Sequence, residues 1–135
     1  MVMWRTCRDT HRGDELIWRG LANGLGWDAA GMARVRNRLK LMADYQCFPL
    51  WWHGGRSIGM IEPDVLPLSE ELKRRLSAWA AVYDRLMQTD YQWPTAAEQA
   101  AFVREGRVLL AALRDELGPD YEVWYFNDLT GQLER

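Results

Sequence analysis

Two capped helix starts, at Ser69 and Thr95, constrain this chain more than any other feature in it. Ser69 follows Pro67 and precedes Glu70 and Glu71. A hydroxyl there accepts a bond from an orphan amide, and carboxylates in the first turn meet the positive end of the helix dipole. Leu72, Leu76, Trp79, Tyr83 and Leu86 follow at spacings of 4, 3, 4 and 3, and Ala80 and Met87 widen the stripe. One face is therefore built for burial. On the other, Glu70–Arg74 and Glu71–Arg75 stand in the favourable i,i+4 order. Thr95 and Glu98 form a T-x-x-E capping box directly after Pro94, and Gly118 and Pro119 supply the stop. At about 100° per residue, Phe102, Val103, Gly106, Leu109, Leu110, Leu113 and Leu117 share an arc of about 120°. The joint Thr89–Trp93 is short, which implies an antiparallel helical hairpin.

Gly106 lies near the middle of that apolar arc. A glycine inside a helix costs about 1 kcal/mol relative to alanine. At the centre of a buried face it signals close approach by a bulky neighbour, and Trp79 is the expected one.

The strands are shorter signals. Tyr121–Phe126 is aromatic and β-branched, as a strand covered on at least one face would be. Leu39, Leu41 and Ala43 alternate with Lys40, Met42 and Asp44. Phe48–Trp52 and Ser57–Ile61 flank His53-Gly54-Gly55-Arg56, a hairpin signal. The expected order is β-β-β-α-α-β: an α+β fold whose small, antiparallel-rich sheet is covered on one face by the helix pair. Residues 39–135 read as one such domain. Residues 1–38 read as a basic, poorly patterned N-terminal extension, with short helices near Asp14–Ala22 and from Asp28 to about Arg36.

Met42-Ala43-Asp44-Tyr45-Gln46-Cys47-Phe48-Pro49-Leu50-Trp51, then Leu66-Pro67-Leu68-Ser69-Glu70-Glu71-Leu72 and the helix carrying Trp79 and Tyr83-Asp84, form a connected pattern. In these residues the chain resembles a family of small bacterial proteins of unassigned function. The likeness covers about Leu39–Phe126 and carries over no catalytic residue.

Charge divides the chain. Residues 1–40 hold eight Arg and Lys against four Asp and Glu, a net of +4, and residues 41–135 hold nine against fifteen, a net of −6. An acidic folded part disfavours nucleic acid, since phosphate binding needs clustered Lys and Arg, and only the N-terminal arm with Arg5, Arg8, Arg12, Arg19, Arg34, Arg36 and Arg38 could contribute that. The longest purely apolar run, Val108–Leu113, has six residues, and no leader pattern is evident. No membrane span is expected, and a cytoplasmic location follows. Cys7 and Cys47 make no disulfide framework.

Three readings of function come from these residues. Eight tryptophans in so small a body suggest an exposed aromatic patch. The tripeptide Asp-Tyr-Gln occurs at Asp44–Gln46 and at Asp90–Gln92, marking two loops that present tyrosine beside phenylalanine or tryptophan. Asp44, Tyr45, Trp51, Trp52, His53, Tyr91 and Trp93 are therefore the expected binding residues of a protein-interaction module, of the kind an immunity-type inhibitor uses against a basic protein partner. A second reading is a small enzyme centred on Asp44 and His53, a carboxylate beside a general base. The third is a zinc-stabilised domain using Cys7, His11, Cys47 and His53, all the Cys and His the chain has. Their C-x3-H and C-x5-H spacings lack the usual zinc knuckle, so no metal or other cofactor is expected.

Overall fold

The computed structural model describes residues 37–54 and 58–135. Its elements are β1 (Asn37–Leu41), β2 (Leu50–Trp52), α1 (Glu70–Asp84), a 3-10 turn (Arg85–Thr89), α2 (Ala96–Leu117), β3 (Tyr121–Asn127) and β4 (Gln132–Glu134). The fold is α+β, with four strands in the order β2-β1-β3-β4. β1 runs antiparallel to β2 and parallel to β3, and β3 runs antiparallel to β4. The sheet is thus mixed, with two antiparallel pairings and one parallel.

Alternation sorts the strand residues. Leu39, Leu41, Leu50, Val123 and Tyr125 are buried in one cluster with Leu72, Leu76, Trp79, Phe102, Leu109 and Leu113 of the helices. The α2 residues buried are the seven on the expected arc. Both caps form: Ser69 Oγ accepts from the Leu72 amide at 3.1 Å, and Thr95 Oγ1 from the Glu98 amide at 3.1 Å. Among the described residues no helix is long and apolar enough to cross a membrane.

Several expectations are corrected. The strand expected over Ser57–Ile61 shrinks, among the described residues, to one bridge between Trp51 and Met60. β4 is an addition, made by a turn in which Asn127 Oδ1 accepts from the amides of Leu129 and Thr130. β1 begins two residues inside the expected extension; the rest of that extension, where two short helices were expected, lies outside the described residues. α1 ends at Asp84, short of Met87, because the 3-10 turn tightens the chain and Asp90 caps it in the left-handed region at φ 53°. The i,i+4 pairs give way to better-placed partners, since Glu70 meets Lys73 at 3.0 Å and Arg75 reaches Glu105 of α2 at 3.4 Å.

Gly106 does accommodate a bulky neighbour, but that neighbour is Tyr125 of β3. A Cβ at Gly106 would lie 2.5 Å from Tyr125 Oη and 2.7 Å from its ring. Trp79 instead stacks on Phe102, with centroids 4.3 Å apart and planes 4° apart, and donates from Nε1 to Phe102 O at 2.9 Å. Glu116, near the end of α2, holds the start of α1 by accepting from the Ser69 amide at 2.6 Å and from its hydroxyl at 2.8 Å.

Two stability measurements check this packing. Gly106→Ala is expected to lower stability by about 1–2 kcal/mol in urea unfolding, because displacing a buried tyrosine outweighs the roughly 1 kcal/mol gained in helix propensity. A rise in the midpoint would show that Tyr125 moves aside freely. Glu116→Ala should cost about 1 kcal/mol, the worth of a helix cap. In a Ser69→Ala background that cost should shrink; an undiminished loss would place the role of Glu116 elsewhere.

Candidate functional site

The two Asp-Tyr-Gln loops meet. Asp44–Cys47 turns tightly after β1, with the Asp44 carboxylate accepting from the Tyr45 amide at 2.8 Å and Asp44 O from the Cys47 amide at 3.3 Å. The 3-10 turn after α1 carries the second loop back towards it. The Tyr45 ring stacks on Tyr83 of α1 at 4.7 Å, and Tyr91 meets Tyr45 edge-on at 5.0 Å and 77°. Tyr83 continues to Phe102 at 5.7 Å and to Trp93 at 6.4 Å.

Three non-glycine residues among those described have positive φ: Gln46 at 59°, Asp90 at 53° and Tyr91 at 61°. All three belong to this pair of loops. Non-glycine residues enter that region at a cost, and such residues gather at functional sites. Tyr91 is 60% exposed.

Carboxylates surround the aromatic rings. Asp84 Oδ1 accepts from the Gln46 amide at 2.8 Å, which ties the first loop to the end of α1. Asp128 Oδ2 accepts from Trp93 Nε1 at 2.8 Å and from Gln99 Nε2 at 3.1 Å. Neither Asp84 nor Asp128 has an ion pair among the described residues. Burial pushes the Asp84 carboxyl above its usual range; the Gln46 amide opposes that shift and nearby Asp44 adds to it. Burial likewise raises the Tyr45 phenol, with Asp128 and Asp44 acting in the same sense and a hydrogen bond with Tyr83 against it. The result is a tyrosine cluster in a negative field.

The other expected site residues lie apart. Trp51 is only 4% exposed and packs with Cys47 on the face of the sheet away from the helices, its Nε1 donating to Met42 O at 2.9 Å. Trp52, pointing the opposite way, packs on the main core. His53 lies against Trp124 at 5.6 Å, and its amide donates to Arg38 O at the start of β1. Burial, then Lys40 and Arg38, lower its pKa and favour the neutral ring. Asp44 lies past the other end of β1, about 20 Å away at the rise of a strand. The two do not form an acid–base pair. Of the zinc candidates, Cys7 and His11 fall outside the described residues; among those described, no group of three His, Cys, Asp or Glu is placed to hold a metal ion.

Tyr83, Asp84 and Asp128 belong to the cluster although sequence reasoning passed them over. Tyr83 reads as part of the buried stripe of α1, and only its neighbour Asp84 hints that this end of the helix meets the surface.

One titration checks the cluster's electrostatics. A carboxyl with a raised folded pKa binds more protons folded than unfolded, so its contribution falls as pH rises from the ordinary aspartate range through the folded value. Asp84→Asn keeps an acceptor for the Gln46 amide and removes the part-buried charge. It is expected to raise the melting temperature at neutral pH, with the advantage vanishing in acid. A variant less stable at neutral pH would mean that the ionised carboxylate is favourable where it stands.

No curated protein matches the chain. Residues 37–128, which span β1 to the turn after β3 and both Asp-Tyr-Gln loops, match the family described as Serratia CdiI immunity protein-like. With that match running through more than half of its length, the chain belongs to the Serratia CdiI immunity protein-like family.

Proposed function

We propose that this protein is an immunity-type inhibitor that acts in the cytoplasm by binding a basic toxin protein, and that Asp44, Tyr45, Tyr91 and Trp93, with Tyr83, Asp84 and Asp128, form its binding surface. The family supports a protein partner. The observation that carries the choice of surface is the edge contact of Tyr45 with Tyr91, which brings two loops 46 residues apart into one partly exposed aromatic patch with Tyr91 outermost. Tyrosine and tryptophan anchor interfaces with large rigid area at little entropic cost, and each has a polar tip. Asp84 and Asp128, without cationic partners among the described residues, are set to receive lysine or arginine from outside. The net −6 of residues 41–135 steers such a partner inwards. Trp51 is too buried to contribute and drops out of the surface; Trp52 and His53 sit away from it.

The test is a binding titration between the full chain and a basic toxin protein of the proposed kind. Tyr91→Ala and Asp44→Lys are each expected to weaken binding by about tenfold or more, and raising salt should slow association. His53→Ala should leave the affinity unchanged. Binding that ignores salt and both of the first two substitutions would remove this surface from consideration.

A further inference from the structure

A groove of about 740 Å³ runs between the outward sides of α1 and α2. Trp79, Val82, Leu86 and Phe102 line it, and Trp93 closes it on the side of the connecting loop. Exposed Ala78 and Ala101 keep its walls low. The charges lining it divide by helix. α1 and the turn that continues it contribute Arg75 and Arg85, whereas α2 contributes Glu98 and Glu105. Arg75 and Glu105 meet across the groove at 3.4 Å. Arg85 and Glu98, towards the loop, are in no ion pair among the described residues.

We infer that this face is where two copies of the chain associate. Isologous contact requires a patch complementary to itself. Arginines along the α1 side of the groove and glutamates along the α2 side meet that requirement under one arrangement. A two-fold axis parallel to the helices, between the copies, sets α1 of one copy over α2 of the other. Arg85 then faces Glu98 of the second copy, and Glu98 faces its Arg85, giving two equivalent ion pairs around an apolar centre. An axis across the helices would oppose α1 to α1 and repel, so the charge pattern selects the first. The groove shares Trp93 with the proposed toxin-binding surface, but the self-association does not rest on toxin binding and its test needs no partner.

Sedimentation of the full chain over a range of concentrations at low salt tests it. The wild type should pass from monomer to dimer. Arg85→Glu and Glu98→Arg should each weaken the dimer about tenfold or more by setting like charges opposite one another. The double variant carrying both should recover it, because the pairs re-form with signs exchanged. Both positions are exposed, so the fold should persist in each variant, as circular dichroism would report. A chain monomeric at every concentration overturns the inference, as does a dimer indifferent to the single swaps or a double variant no tighter than either one.

Discussion

The contact between Tyr125 and the bare backbone of Gly106 sets the distance between sheet and helices, and much else depends on it. With no Cβ at 106, α2 settles onto β3 closely enough for Tyr125 Oη to approach Val103 O at 3.4 Å. Trp79 is then free to stack on Phe102, which fixes α1 against α2. From there ring contacts lead outwards: Tyr125 to Trp79 at 6.3 Å, Trp79 to Phe102 at 4.3 Å, Phe102 to Tyr83 at 5.7 Å, Tyr83 to Tyr45 at 4.7 Å, Tyr45 to Tyr91 at 5.0 Å. The exposed end of this series is the candidate binding surface. Its rigidity is borrowed from the core, and an aromatic patch held in this way loses little entropy on binding.

Local chemistry was legible in the sequence where a single element decides the outcome. The buried face of α2 and both helix caps follow from spacing and from two hydroxyl residues. Gly106 was legible as a point of close approach, but its partner was not. Trp79 and Tyr125 are both bulky and both buried, and periodicity says only that each faces inwards. β4 left little trace because its three residues are mostly exposed and it depends on Asn127 folding the chain back, a side-chain bond that no hydropathy pattern records. The third expected strand illustrates the converse: among the described residues, an apolar run beside a glycine turn pairs at one bridge with β2, itself only three residues long.

The candidate site shows the same division. Two loops with the same tripeptide can be read from the chain, whereas their meeting is a tertiary fact. Trp51 and Trp52 had to point to opposite faces of a strand. Which face is free could not be known, and in the event Trp51 is buried and Trp52 packs on the main core. His53 and Asp44 look close in sequence and are separated by the length of β1, because the intervening chain reverses direction.

What distinguishes the tyrosine cluster from an ordinary surface is that several local costs fall on the same few residues. Asp84 is partly desolvated beside Asp44, and Gln46, Asp90 and Tyr91 hold left-handed backbone that glycine would enter freely. A chain selected for stability alone would relax these features one at a time, with glycine at 90 or asparagine at 84. Each relaxation would also undo a specific arrangement. Glycine at 90 would loosen the turn that swings Tyr91 back over Tyr45, and asparagine at 84 would remove a negative charge from the surface. On the proposed function, strain and desolvation concentrated where the rings emerge are the cost of presenting Tyr45 and Tyr91 together in a negative field. A cationic partner would offset that cost on binding.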